Sequence, residues 1–98
     1  MPFIRLMQEI ADHAQPRLAS GVRLQIDPAT GKGVLLFPEG IIELNETAQE
    51  IVTRCDGRPL SEIVLGLARE YDADLEMLAA DVRETLADLQ RRKLVKLA

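Results

Sequence analysis

The residues of this chain that could carry chemistry are one histidine, His13, and one cysteine, Cys55. A cysteine beside a histidine can act as a nucleophile, because the imidazole activates the thiol. A zinc or iron site needs several such ligands at a suitable spacing, and the sequence has no second histidine or cysteine. Cys55 also falls on the apolar stripe of a predicted helix, where cysteine is usually a small core residue. We therefore expect no metal, no cofactor and no enzymatic activity.

Acidic residues and glycines give no catalytic pattern either. Many of the 16 carboxylates lie on predicted helix faces, where they are either solvated or steer a partner. Gly31 and Gly33 lie in a predicted turn, and the glycine patterns that bind nucleotide phosphates are missing. The formal net charge of -4 argues against a nucleic-acid partner, because binding the phosphate backbone requires a basic face.

The 98 residues suit a single domain with an aliphatic core, since the chain has no tryptophan and few other aromatic residues. No apolar run approaches the roughly 20 residues of a membrane span. The first residues include Glu9 and Asp12 and do not resemble a secretory signal. We expect a cytoplasmic protein without membrane contact.

The first 15 residues predict a weak amphipathic helix, because Phe3, Met7, Ile10 and Ala14 recur at spacings of three or four. Gln15 precedes a proline and is therefore biased away from helical backbone. We divide the chain into an N-terminal arm, residues 1–15, and a domain, residues 16–98. The arm either docks loosely or takes part in self-association.

Three short strands should open the domain. Residues 22–26 alternate between apolar and polar, which is typical of a half-buried strand. Residues 34–37 and 41–44 are further apolar strands, and the short turns between them favour an antiparallel meander.

Three amphipathic helices should follow. Asn45 and Asp74 are predicted N-caps of the first and third helices, and Pro59 is predicted to be the first residue of the second. Strands followed by helices predict an α+β fold with the helices on one face of a small sheet.

The last strand of such a meander is an edge unless another element covers it. Ile41, Ile42, Glu43 and Leu44 would then offer free backbone groups, and a bound peptide could add a strand there. Alternatively, the chain itself or a second copy covers this edge.

Seven short segments occur in a characteristic order along the chain: 16–24, 34–39, 44–48, 55–57, 62–64, 80–82 and 94–97. This ordered set resembles the pyrroloquinoline quinone (PQQ) biosynthesis protein D family, PqqD, and covers about residues 16–97. Lys93 departs from the glycine expected near the family's end, and Pro59 replaces an expected Ser or Thr cap.

The resemblance implies a winged-helix-like fold and a peptide chaperone. Members of this family are expected to bind the precursor peptide PqqA and deliver it to PqqE, a radical S-adenosylmethionine (SAM) enzyme that cross-links a glutamate and a tyrosine. The peptide would lie along the third predicted strand and against the third helix. The residues implied on the helix are Val82, Thr85, Leu86 and Leu89.

Three other functions are alternatives to PqqA binding. The ligand could be another ribosomally made, modified peptide. A winged-helix DNA binder would present basic or amide side chains on its recognition helix, whereas the second and third helices here have an acidic surplus. A dimerisation module could use the edge strand or the arm, and a homodimer would be compatible with peptide binding.

Overall fold

The computed structural model describes residues 10–98, which form two small antiparallel sheets and three helices. This confirms the predicted α+β, winged-helix-like class, in which a three-stranded antiparallel sheet is followed by three helices. In chain order the elements are β1 (Pro16–Leu18), β2 (Arg23–Ile26), β3 (Gly33–Phe37), β4 (Gly40–Glu43), α1 (Glu46–Thr53), α2 (Leu60–Tyr71), α3 (Leu75–Arg91) and β5 (Val95–Leu97).

The three-stranded sheet is the predicted meander, in the order β2-β3-β4. Leu35 at its centre is fully buried, and it lies opposite Leu24 on one side and Ile42 on the other. Successive side chains on a strand point to opposite faces, so these three share the face that packs on the helices. The pattern of the sequence therefore sets both the register and the buried face of the sheet.

The helix starts follow local capping chemistry. Asn45 accepts a hydrogen bond from the Ala48 amide at 2.7 Å, and Asp74 accepts one from the Met77 amide at 3.1 Å, which confirms both predicted N-caps. Pro59 is the N-cap of α2, so this helix begins at Leu60, one residue later than predicted. Pro59 makes no side-chain capping hydrogen bond. Its side chain has no acceptor, so the free N–H groups of this helix need partners from elsewhere.

Residues 10–15 supply those partners. The carbonyl of Ala14 accepts from the Leu60 amide at 2.8 Å, and that of Asp12 accepts from the Ser61 amide at 3.0 Å. Ile10 and Ala14 are buried in the core. The helix predicted for residues 1–15 is absent from residues 10–15, which form a turn, and residues 1–9 lie outside the described part. The division into arm and domain stays a prediction.

A two-stranded sheet joins the start of the domain to its end. Pro16, Arg17 and Leu18 of β1 pair with Leu97, Lys96 and Val95 of β5. Lys93 adopts left-handed backbone with φ of 63°, and the chain turns there from α3 into β5. The departure from glycine at this position thus leaves the turn intact. None of the helices in residues 10–98 is long and apolar enough to cross a membrane.

Candidate peptide-binding groove

The outer edge of β4 is the edge of the three-stranded sheet that lies next to α3. On its inner edge, β4 pairs with β3, and the Leu44 amide donates to the Gly33 carbonyl at 2.9 Å. Hydrogen-bonded and non-hydrogen-bonded pairs alternate along an antiparallel ladder. Ile42 therefore bonds to β3, whereas the backbone groups of Ile41 and Glu43 point outward. No strand within residues 10–98 pairs with this outer edge.

Helix α3 stands beside this edge and turns it into a groove of about 360 Å³. The strand side consists of the end of β4, the Asn45 cap and Ala48 of α1. The helix side consists of the last part of α3. The lining residues are Ile42, Glu43, Leu44, Asn45 and Ala48 on the first side, and Glu84, Thr85, Asp88, Leu89, Arg91 and Arg92 on the second.

The predicted site residues fall into two groups in this structure. Ile42, Glu43, Leu44, Thr85 and Leu89 line the groove together. Ile41 contributes outward-facing backbone, and its side chain, 62% exposed, points to the opposite face of the sheet.

Val82 and Leu86 lie on the core side of α3 instead. Both are fully buried and neither lines the groove. Val82 and Leu86, four positions apart, share one face of the helix and belong to the hydrophobic core. Leu89 is also buried in that core and lines the groove, and Thr85 lies at the margin of the stripe.

Charged side chains also line the groove, and none of them except Glu43 is among the predicted site residues. Asp88 lies between two guanidinium groups, 3.4 Å from Arg91 and 3.2 Å from Arg92. Each guanidinium carries five N–H donors, so most of them stay available. Glu84, one helical turn earlier, gives the groove an acidic side. In the sequence, only helical spacing indicated that charged residues of α3 would lie near Thr85 and Leu89, because residues three or four apart share a helix face.

The histidine and the cysteine considered as a catalytic pair lie outside the groove. His13 is exposed in the turn before β1, and Cys55 is buried at the end of α1. Burial, and then the neighbouring Asp56 carboxylate, raise the pKa of the Cys55 thiol to about 12, which keeps it protonated. Neither residue lines the groove. In the part of the chain that the structure describes, no three His, Cys, Asp or Glu residues cluster as metal ligands.

A small α+β domain with an open strand edge beside a helix is an architecture suited to recognising extended peptides. The family model of "Coenzyme PQQ synthesis protein D (PqqD)" matches residues 32–95. A protein of Xanthomonas oryzae named "PqqA binding protein" is 46% identical over 92 residues, which are 93% of this chain and all of that protein. The chain belongs to the PqqD family.

Solved structures agree with this assignment. The PqqD part of PqqCD from Methylobacterium extorquens, described as a stand-alone recognition element for ribosomally synthesised and modified peptides, is 38% identical with a TM-score of 0.72. The match covers 83% of this chain and 87% of that one. PqqD from Xanthomonas campestris is 39% identical with a TM-score of 0.56, over 89% and 98% of the two chains.

A more distant structure shares the fold alone. TbiB1, solved in complex with the TbiA(beta) leader peptide, is 23% identical with a TM-score of 0.72 and covers 82% of this chain and 94% of that one.

Proposed function

We propose that this protein is a non-catalytic chaperone of PQQ biosynthesis that binds the precursor peptide PqqA in the groove between β4 and α3. The observation that carries the proposal is the outward-facing backbone of Ile41 and Glu43 beside a helical wall. The names of the curated relatives support PqqA as the ligand.

The backbone of β4 would supply affinity that depends little on sequence. An added strand bonds to the outward N–H and C=O groups of Ile41 and Glu43, each bond contributing a net stabilisation of about 1 kcal/mol. Side chains on the peptide's inner face would then meet Ile42, Ala48 and Leu89, which form the apolar part of the groove.

The polar residues of the groove would set the position of the peptide along it. Thr85 offers a hydroxyl at the margin of the apolar stripe. Arg91 and Arg92 offer guanidinium donors at one end, and a guanidinium matches the geometry of a carboxylate. We infer that PqqE, the radical SAM enzyme, receives the peptide from this groove, since no catalytic group lines it.

Titration calorimetry with synthetic PqqA tests the ligand, and amide chemical-shift mapping tests the site. We expect saturable binding, with shifts centred on residues 41–44 and 84–89. If PqqA fails to bind the folded protein while another precursor peptide binds the groove, the site stands and PqqA is the wrong ligand.

A proline substitution tests strand addition itself. Ile41→Pro removes an outward-facing N–H and places a ring on the open edge, so PqqA affinity should fall about tenfold or more. Ile26→Pro is the matched control. The ladder alternation turns the Ile26 amide outward from β2, the opposite edge of the same sheet, and this variant should bind PqqA like the parent. Equal affinity of the two variants would refute strand addition on β4.

A further inference from the structure

A second concave site lies between the three helices, on the other side of α1 from the groove. Its volume is about 300 Å³. The floor is apolar and consists of Leu67, Leu78 and the ring of Tyr71, and the rim carries the carboxylates of Glu46, Glu50 and Asp81. We call this the helix pocket. No cationic side chain lines it.

The carboxylates of the helix pocket differ in their partners. Glu50 forms an ion pair with Arg54 at 3.0 Å, and Arg54 also bonds to Glu70 across to α2. Within residues 10–98, Glu46 and Asp81 take part in no ion pair. Two uncompensated negative charges therefore flank an apolar floor.

Tyr71 adds an aromatic face to this charge. Its side chain is about half exposed, although large apolar surfaces are normally buried where a core is available. Desolvation, and then the nearby Glu50 and Glu70 carboxylates, raise the pKa of the Tyr71 hydroxyl. The ring thus lies in a negative potential beside Leu67 and Leu78.

We propose that the helix pocket takes a lysine or arginine side chain of the enzyme to which the peptide is presented. Such a side chain has an apolar stem and a cationic head, which match an apolar floor and an acidic rim. A cation over the face of Tyr71 gains a further cation–π attraction. The volume is at the lower end for ligand pockets, which suits one long side chain rather than a strand or a helix.

The position of the helix pocket fits delivery of a bound peptide. Asp81 at its rim and Thr85 in the groove are four residues apart on α3, a rise of about 6 Å along the helix. An enzyme holding the helix pocket would therefore lie next to a peptide in the groove without covering it. This step rests on the proposed function, because it assumes that a peptide is bound and passed on.

The test compares two double variants that each remove two negative charges from the helices. Glu46→Gln with Asp81→Asn empties the helix pocket of its unpaired carboxylates and leaves the Glu50–Arg54 pair intact. Glu62→Gln with Glu76→Gln is the control, since both lie in first helix turns outside the pocket. Binding of purified PqqE is measured by surface plasmon resonance, with and without PqqA, and PqqA binding is measured separately.

We expect the pocket variant to bind PqqE about tenfold more weakly than the control, with a shallower dependence on salt concentration. Its affinity for PqqA should equal that of the control. Tyr71→Ala should also weaken PqqE binding, whereas Tyr71→Phe, which keeps the ring, should not.

Other outcomes would overturn the inference. Equal PqqE affinity of the two double variants, or no PqqE binding by the parent, removes the helix pocket as a docking site. Loss of PqqA affinity in the pocket variant assigns the pocket to the peptide site instead. Failure of the parent to bind PqqA is a separate result, which contradicts the proposed function, and the PqqE arm without peptide still reports on the pocket.

Discussion

Lys93 ends α3 in a backbone conformation that glycine adopts more easily. The Leu94 amide donates to the Leu89 carbonyl at 2.9 Å and the Lys93 amide donates to the Gln90 carbonyl at 2.9 Å, which is the hydrogen-bond pattern of a Schellman C-cap. Lys93 has φ of 63°, where a side chain crowds the backbone.

Lys93→Gly should therefore stabilise the protein, by about 1 kcal/mol. Urea unfolding would show a higher midpoint with an unchanged slope. Lys96→Gly is a control, because Lys96 is exposed in β5 with extended backbone, and glycine there should be destabilising. A lower midpoint for Lys93→Gly would mean that the lysine makes a favourable interaction elsewhere.

The Cys55 thiol gives the stability a pH dependence of known sign. Its pKa of about 12 in the folded protein exceeds the ordinary value of 9.0. The unfolded chain therefore releases this proton first as the pH rises, and the folded state loses stability from about pH 9 upward. Cys55→Ala lacks this contribution, so the difference in unfolding free energy between the parent and the variant should shrink between pH 8 and pH 11. A constant difference would contradict burial of the thiol.

At the scale of elements, local pattern determines most of what the sequence predicts correctly. The alternation of residues 22–26, the apolar stripe of α2 and the Asn45 and Asp74 caps each depend on neighbours within a few positions. Strands β1 and β5 have three residues each, too few for a period, and they meet only because the chain ends come together. Periodicity alone therefore could not predict that β1 pairs with β5.

The groove could be predicted in part from the sequence. The third strand of a meander is recognisable as an edge, and family resemblance adds the helix. The sequence places Thr85 at the margin of the apolar stripe, but it does not separate Leu89 from Val82 and Leu86, because all three lie on the main stripe. Only the packing of α3 distinguishes Leu89, which lines the groove, from Val82 and Leu86, which do not.

When a peptide adds a strand to β4, the slowing of amide hydrogen exchange should alternate from one β4 residue to the next. In the free protein, the Ile42 and Leu44 amides face β3, and the Ile41 and Glu43 amides face outward. At a PqqA concentration 100 times the dissociation constant, exchange at Ile41 and Glu43 should slow by about a hundredfold. The outward amide of Ile26 on β2 is the internal control and should not change. Uniform protection along β4 would indicate general rigidification in place of strand pairing.

For the whole molecule, the two proposed recognition surfaces lie along one helix. The first half of α3 borders the helix pocket and the second half borders the groove, while its core side is fixed by Val82 and Leu86. Residues 10–15 also tie into α3, since Arg83 donates to the Ile10 carbonyl at 2.9 Å and pairs with Asp12. Under the two proposals, a chain of 98 residues would hold a peptide and meet a partner along the same helix.

Peptide binding should raise the thermal stability of the whole domain, because the groove joins the sheet to α3 and exists only in the folded state. A ligand at 100 times its dissociation constant stabilises by about 2.7 kcal/mol. For a domain of this size, that corresponds to a rise in Tm of about 10–20 °C. Differential scanning calorimetry with PqqA measures it directly. Glu46→Gln with Asp81→Asn should keep the full rise, whereas Ile41→Pro at the same peptide concentration should lose about half of it, because a tenfold weaker site gains about 1.4 kcal/mol. A full rise in Ile41→Pro would place the peptide away from β4 and direct the search to another face of α3.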